Sequence, residues 1–270
     1  MSVTMEPQIP PTPPGRGRRT AGAILPPLVA FVVLFGGWEL YVRLADVSAL
    51  VLPAPSAILR EIWEAPGFWW HQARITGWEA LLGLGLATAV AAVLATLMAE
   101  FRTMDRALSP VVTMVQVTPV IALATPLVIW LGFGLAPKVV MAALITFVPM
   151  VVNLATGLRS VEAASEEVLR SVGASRRDVF VVLRIPHALP YLFSALRVCV
   201  GLALIGALVA EWFGSTAGLG RTMTQARNAL AITELWAAVV VLMLMGVVGT
   251  AVVRLVERVA LRWYTEAGSL

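Results

Sequence analysis

Long runs without an acidic or basic side chain alternate with short charged segments along this chain. The charge-free runs cover residues 20–38, 80–99, 107–137, 139–158 and 235–253. Each is long enough to cross a hydrocarbon core of about 30 Å as a helix. A sixth run, 189–213, is interrupted only by Arg197 and carries Glu211 near its end. Arg197 stands close enough to the membrane boundary for its side chain to snorkel to the headgroups, so the span is kept. The pattern predicts an all-α integral membrane protein of six transmembrane helices, preceded by a disordered tail over 1–19 and occupying 20–270.

Composition supports this and removes other classes. Of 270 residues, 59% are hydrophobic and 13% charged, with a mean hydropathy of +0.85, against roughly 25% charged in soluble domains. An ordinary soluble enzyme is excluded. The single cysteine, Cys199, rules out a disulfide framework or a cysteine cluster for metal, and His71 and His187 do not supply a metal site. The basic run from Arg16 to Arg19 follows a proline-rich stretch unable to bury a core. It reads as a topology signal rather than a nucleic-acid site, and no nucleic-acid partner is expected.

Six spans put both termini on one side, and the basic residues choose which. Fourteen of the twenty fall in the set containing both termini, the 100–106 turn and the 159–188 loop; six (Arg43, Arg60, Arg74, Lys138, Arg221 and Arg227) fall in the other. By the positive-inside bias, both termini and the long loop are cytoplasmic. Eight of the nine tryptophans gather near the opposite surface, with Trp263 at the inner one, as expected of interfacial rings.

The third run carries Pro110, Pro119 and Pro126 with Gly132 and Gly134, which predicts a kinked, locally unwound helix; such helices often line a pathway, and the competing reading for any one proline is that neighbouring helices simply satisfy the freed carbonyls. Gln116, Thr118, Thr125 and Asn153 are the polar groups available to line it; hydrogen bonding between helices is the competing reading for each. Glu79 and Glu211 lie toward the outer ends of their spans, where interfacial solvation is expected to hold them.

The 159–188 loop is too patterned for a linker. Val161, Ala164, Val168, Leu169 and Val172 recur at helical spacing, with Glu162, Ser165, Glu166, Glu167 and Arg170 on the other face. Gly173 follows as a helix-ending glycine. Ser175 to Asp178 reads as a capping box opening a second short helix, which Pro186 is expected to stop. The product is helix, glycine elbow, helix, with an apolar face that needs a cover.

This segment carries a family resemblance. Glu167-Val168-Leu169-Arg170-Ser171-Val172-Gly173, then nine residues, then Leu183-Arg184-Ile185-Pro186, resembles the EAA motif of bacterial ATP-binding cassette importer permeases. The literal string Glu162-Ala163-Ala164 is out of register with Gly173, so the match runs from Glu167, with Val168 and Leu169 where the motif has alanines. Leu52-Pro53-Ala54-Pro55-Ser56, the prolines and glycines of the third run, and Gly218-Leu219-Gly220 resemble landmarks of the permease group for sulfonates, taurine, nitrate and small heterocyclic nutrients.

The resemblance implies a type I importer permease fold in a bacterial inner membrane. It implies two permease subunits, most simply a homodimer, two cytosolic ATPase subunits using ATP and Mg, and an external solute-binding protein. It places Glu167, Gly173, Ala174 and Ser175 at the contact with the ATPase, with Pro186 leading back to the membrane. The chain itself needs no cofactor and is no ATPase: a phosphate-cradling loop requires a lysine in a glycine-rich setting, and the one lysine, Lys138, follows Pro137. The rival class, an ATP-independent secondary transporter or channel, is expected to carry ionisable groups near the midplane, of which the sequence shows almost none.

Overall fold

The computed structural model describes residues 16–262, all of whose regular elements are helical. Residues 1–15 of the expected tail and Trp263 lie outside the described residues; Arg16 to Arg19 open the first helix. The helices are α1 (Arg16–Leu44), α2 (Pro55–Glu64), α3 (Pro66–Glu100), α4 (Arg102–Val117), α5 (Ala124–Leu131), α6 (Ala136–Arg159), α7 (Ala163–Ser171), α8 (Arg176–Asp178), α9 (Ile185–Gly214), α10 (Leu219–Asn228) and α11 (Ile232–Ala260). A 3-10 turn, Val120–Leu123, precedes α5, and a π-helical turn, Val179–Arg184, joins α8 to α9.

The core is a bundle of α3, α6 and α9. Alanine recurs every fourth residue along one face of α3, at Ala87, Ala91 and Ala95, all buried. Small residues at this spacing let helix backbones approach closely, which is the main packing resource where lipid removes the hydrophobic drive between helices. On α9, a methyl at Gly206 would lie 2.6 Å from the Ala142 Cα of α6, so the crossing leaves no room for a side chain. α11 lies against α9 but buries little of its apolar length, leaving it to face lipid or another subunit.

Among the described residues, four helical stretches are long and apolar enough to cross a membrane: Pro66–Glu100, Ala136–Arg159, Arg176–Gly214 and Ile232–Ala260. The expected run 107–137 is not one straight helix. It is broken at Thr118 and Pro119, and its halves, Arg102–Val117 and Val120–Leu131, are bent by 86°. Counted as one span, the bent pair makes five. Pro119 supplies no amide for the Val115 carbonyl; the Thr118 amide is shared between Met114 at 3.1 Å and Val115 at 3.3 Å, and the Thr118 hydroxyl adds a second bond to the Met114 carbonyl at 2.7 Å. The expected first run, 20–38, lies within α1.

Candidate functional site

The elbow between α6 and α9 is built by two local motifs that end one helix and start the next. At the end of α7 the Gly173 amide donates to the Arg170 carbonyl at 3.0 Å, and the Ala174 amide to the Leu169 carbonyl at 3.1 Å. This is the Schellman pattern, which requires a residue in the left-handed region. Gly173 adopts φ +85°, free of the penalty a Cβ incurs there. Ser175 then caps α8: its hydroxyl accepts from the Asp178 amide at 3.2 Å, and the Asp178 carboxylate accepts from the Ser175 amide at 2.9 Å. Both features were legible as Gly173 and as the Ser175 to Asp178 box.

Pro186 does not stop the second helix. The chain continues through the π turn into α9, and Pro186 occupies the first turn of the new α-helical register. There the missing amide has no intrahelical acceptor to lose. The apolar face that needs a cover does not find one within the chain: Val168, Val172, Val181 and Val182 remain exposed, Val172 at 77%. Glu167, Gly173 and Ser175 are exposed as well, and Ala174 and Pro186 half-buried. The outward side of the elbow is therefore a mixed surface, exposed valines beside Glu167, Arg170, Arg176 and Arg177, uncovered among the described residues.

The elbow is fixed to the bundle by Arg184. Its guanidinium reaches Glu100 at the end of α3 at 2.6 Å and Glu166 of α7 at 2.7 Å. Arg159, at the end of α6, pairs with Asp105 of α4 and donates to the Met98 carbonyl of α3, both at 2.6 Å. Helix ends that meet in one apolar cluster through Met98, Leu158 and Ala188 are thus also held in one frame by charge-assisted bonds.

Beside the broken helix, a cavity of about 450 Å³ brings Gln116 and Asn153 together among Val115, Val148 and Pro149. Asn153 donates to the Pro149 carbonyl at 2.8 Å, which leaves its amide oxygen to accept. Thr118 is turned back onto its own helix and does not line this cavity.

The opposite end of the bundle holds a network that the sequence reading missed. Glu79 and Glu211 are not solvated at an interface; both are buried, at 3% and 1% exposure. Lys138, in the first turn of α6, pairs with Glu79 of α3 at 2.9 Å. Thr76 donates to Glu211 at 2.6 Å and accepts from the Leu219 amide at 2.9 Å. Glu211 also accepts from the Gly220 amide, and Gln72 accepts from the Gly218 amide at 2.7 Å. Gly218 adopts φ +105°, and a side chain there would strike the Glu211 carboxyl. The signal lay in Lys138 itself: a lone lysine in an apolar stretch must find a carboxylate if it is buried.

A model of the family described as binding-protein-dependent transport system inner membrane component matches residues 83–262, from the middle of α3 through α11. The chain belongs to that family. It is the inner-membrane permease component of a binding-protein-dependent ATP-binding cassette transporter, a transport subunit rather than a catalytic one. Over 244 residues the permease is 34% identical to the formylaminopyrimidine transport permease protein ThiX of Halalkalibacterium halodurans, covering 88% of this chain and 96% of that one. It is 33% identical over 237 residues to the riboflavin transport system permease protein RibX of Chloroflexus aurantiacus, covering 87% and 88%. The inward-facing MetNI methionine ABC transporter contains a chain of the same fold, with a TM-score of 0.55 at 19% identity over 73% of this permease and 98% of that chain. The family resemblance read from the elbow motif is thereby established for the permease.

Proposed function

We propose that the permease pairs with a second copy of itself to form the passage for a small solute, and that the elbow over 159–188 docks on a cytosolic ATPase. In this reading α1, the bent pair and the four long helices make six spans, with both termini and the elbow in the cytosol. Glu167, Gly173, Ala174 and Ser175 meet the ATPase, and Pro186 starts the return to the membrane. Gln116 and Asn153 face the passage, with Thr118 at the break between them and α5. The solute arrives from an external binding protein, and the ATPase partner uses ATP and Mg.

The observation that carries this reading is the uncovered elbow. A rigid, motif-built turn that leaves valines exposed outside the apolar spans is an interface in search of a partner. The partner's ATP-driven closure then supplies the differential contact that moves a two-state bundle. The names of ThiX and RibX favour a small heterocyclic nutrient as the solute.

The test is to tag the chain after Leu270, extract it gently from its native membrane and identify what co-purifies by mass spectrometry. A stoichiometric ATPase with a phosphate-binding loop is the expected outcome. Repeated recovery without any ATPase would overturn the docking role of the elbow.

A further inference from the structure

On the outer flank of the bundle, α9 and α11 touch closely at one line and part at another. A methyl added to Gly249 would lie 2.7 Å from the Val200 side chain, whereas one added to Gly201 would meet nothing within 4 Å. The space beside Gly201 opens into a cavity of about 790 Å³ that runs from Met243, past Gly246, to Arg197, Arg254 and Arg258. Its walls are apolar and its elbow end is cationic. Three guanidiniums meet there with one acid, Glu257, which pairs with Arg197 at 3.5 Å. Arg254 and Arg258 are exposed and make no ion pair among the described residues.

The dimensions suit a particular ligand. From Met243 to Arg254 the helix rises about 16 Å at 1.5 Å per residue, close to half of a hydrocarbon core of about 30 Å. An occupant would have one anionic end at the arginines and an apolar length equal to one leaflet. We infer that this groove is a binding site for an anionic phospholipid, with its phosphate on Arg254 and Arg258 and one acyl chain along Gly201 and Gly246.

Two features favour lipid over a second copy. Uncompensated arginines beside an apolar slot are the arrangement that selects anionic headgroups between transmembrane helices. Exposed valine and leucine around the slot, Val198, Val247 and Leu255, match acyl chains without further pairing.

The full-length permease, purified in a mild nonionic detergent, is titrated with phosphatidylglycerol, with phosphatidylcholine of identical acyl chains, and with glycerophosphoglycerol, which has the headgroup alone. Bound adducts are read by native mass spectrometry. Phosphatidylglycerol should be retained at about thirtyfold lower concentration than phosphatidylcholine, as two arginines near an anionic headgroup imply. The Arg254→Gln, Arg258→Gln double variant should bind both lipids alike, and Gly201→Phe, which fills the slot, should lose the phosphatidylglycerol adduct. Equal retention of the two lipids by the native chain, or an undiminished preference in the double variant, would overturn the site. Retention of glycerophosphoglycerol as tight as that of the lipid would make it a phosphate site without an acyl slot and overturn it too. A disulfide between two copies of Gly201→Cys in a Cys199→Ala background would assign the groove to a subunit contact instead. Because Arg254 and Arg258 are exposed, the double variant retains the fold and carries the test even where Gly201→Phe fails to assemble.

Discussion

The Nζ of Lys138 lies 2.9 Å from the Glu79 carboxylate, with both side chains less than a tenth exposed. This pair joins the start of α6 to α3 at the end of the bundle away from the elbow. Removing one member of a buried pair strands the other, at a cost of roughly 3–5 kcal/mol. Lys138→Met should therefore lower the thermal midpoint of the detergent-solubilised permease markedly, and the Glu79→Gln, Lys138→Met double variant should recover much of the loss. A single variant that melts like the native protein would show that the pair adds no net stability.

Gly218 is the second position where structure sets a hard limit. Alanine there would have to hold φ +105° and ψ 166°, a region essentially confined to glycine, at about 1–3 kcal/mol, and would also displace the Glu211 carboxyl from the Gly220 and Thr76 donors. Gly218→Ala should reduce the yield of folded protein in the membrane. Gly67→Ala, whose methyl meets nothing within 4 Å, should express normally. Comparable yields from the two variants would remove the steric basis of this expectation.

At the elbow the expected pattern is the reverse: little effect on folding and a large effect on assembly. Val172 is 77% exposed, so Val172→Asp leaves the bundle intact while placing a charge on the apolar contact. Its co-purification with the ATPase should fall at least about tenfold, which corresponds to roughly 1.4 kcal/mol of lost interface energy. Gly173→Leu should act in the same direction, because the side chain projects into open space that the partner must occupy; it also strains the elbow itself, where the backbone holds φ +85°, so Val172→Asp is the cleaner probe of docking. Full recovery of the ATPase with both variants would sink the docking role.

Orientation is tested by accessibility. In a Cys199→Ala background, Ser175→Cys should react with a membrane-impermeant thiol reagent only when the cytosolic face is open. Thr216→Cys, on the exposed loop between α9 and α10, should react only from outside. Labelling on reversed sides would invert the topology inferred from the arginines.

Much of the molecule can be read from charge spacing alone. The runs 80–99, 139–158 and 235–253 lie within α3, α6 and α11, because a lipid core tolerates little else over that length. The elbow was equally legible, since Gly173 and the Ser175 to Asp178 box act through bonds between near neighbours in the chain. What escaped depends on distant partners. Thr76 and Glu211 are 135 residues apart, and nothing in either local sequence says that one will bury the other. Pro186 misled for a related reason: a proline reads as a stop, yet at a π-to-α junction the register change removes the bond it would have broken. The prolines of the third run announced a distortion, but its size, a bend of 86°, depends on how α5 packs on α6 and α9.

Helix α9 has thirty residues, or about 45 Å at 1.5 Å per residue, and it is gripped near both ends. Arg184, the residue before it, is clamped by Glu100 and Glu166, and Glu211 in its last turn holds the Gly220 amide in the first turn of α10. A rod fixed this way works as a connecting rod. In the docking reading proposed above, displacement imposed at the elbow would reach the far face as movement of α10, and Pro190, inside the helix near its elbow end, is the one point in α9 where a missing amide bond would let the rod flex.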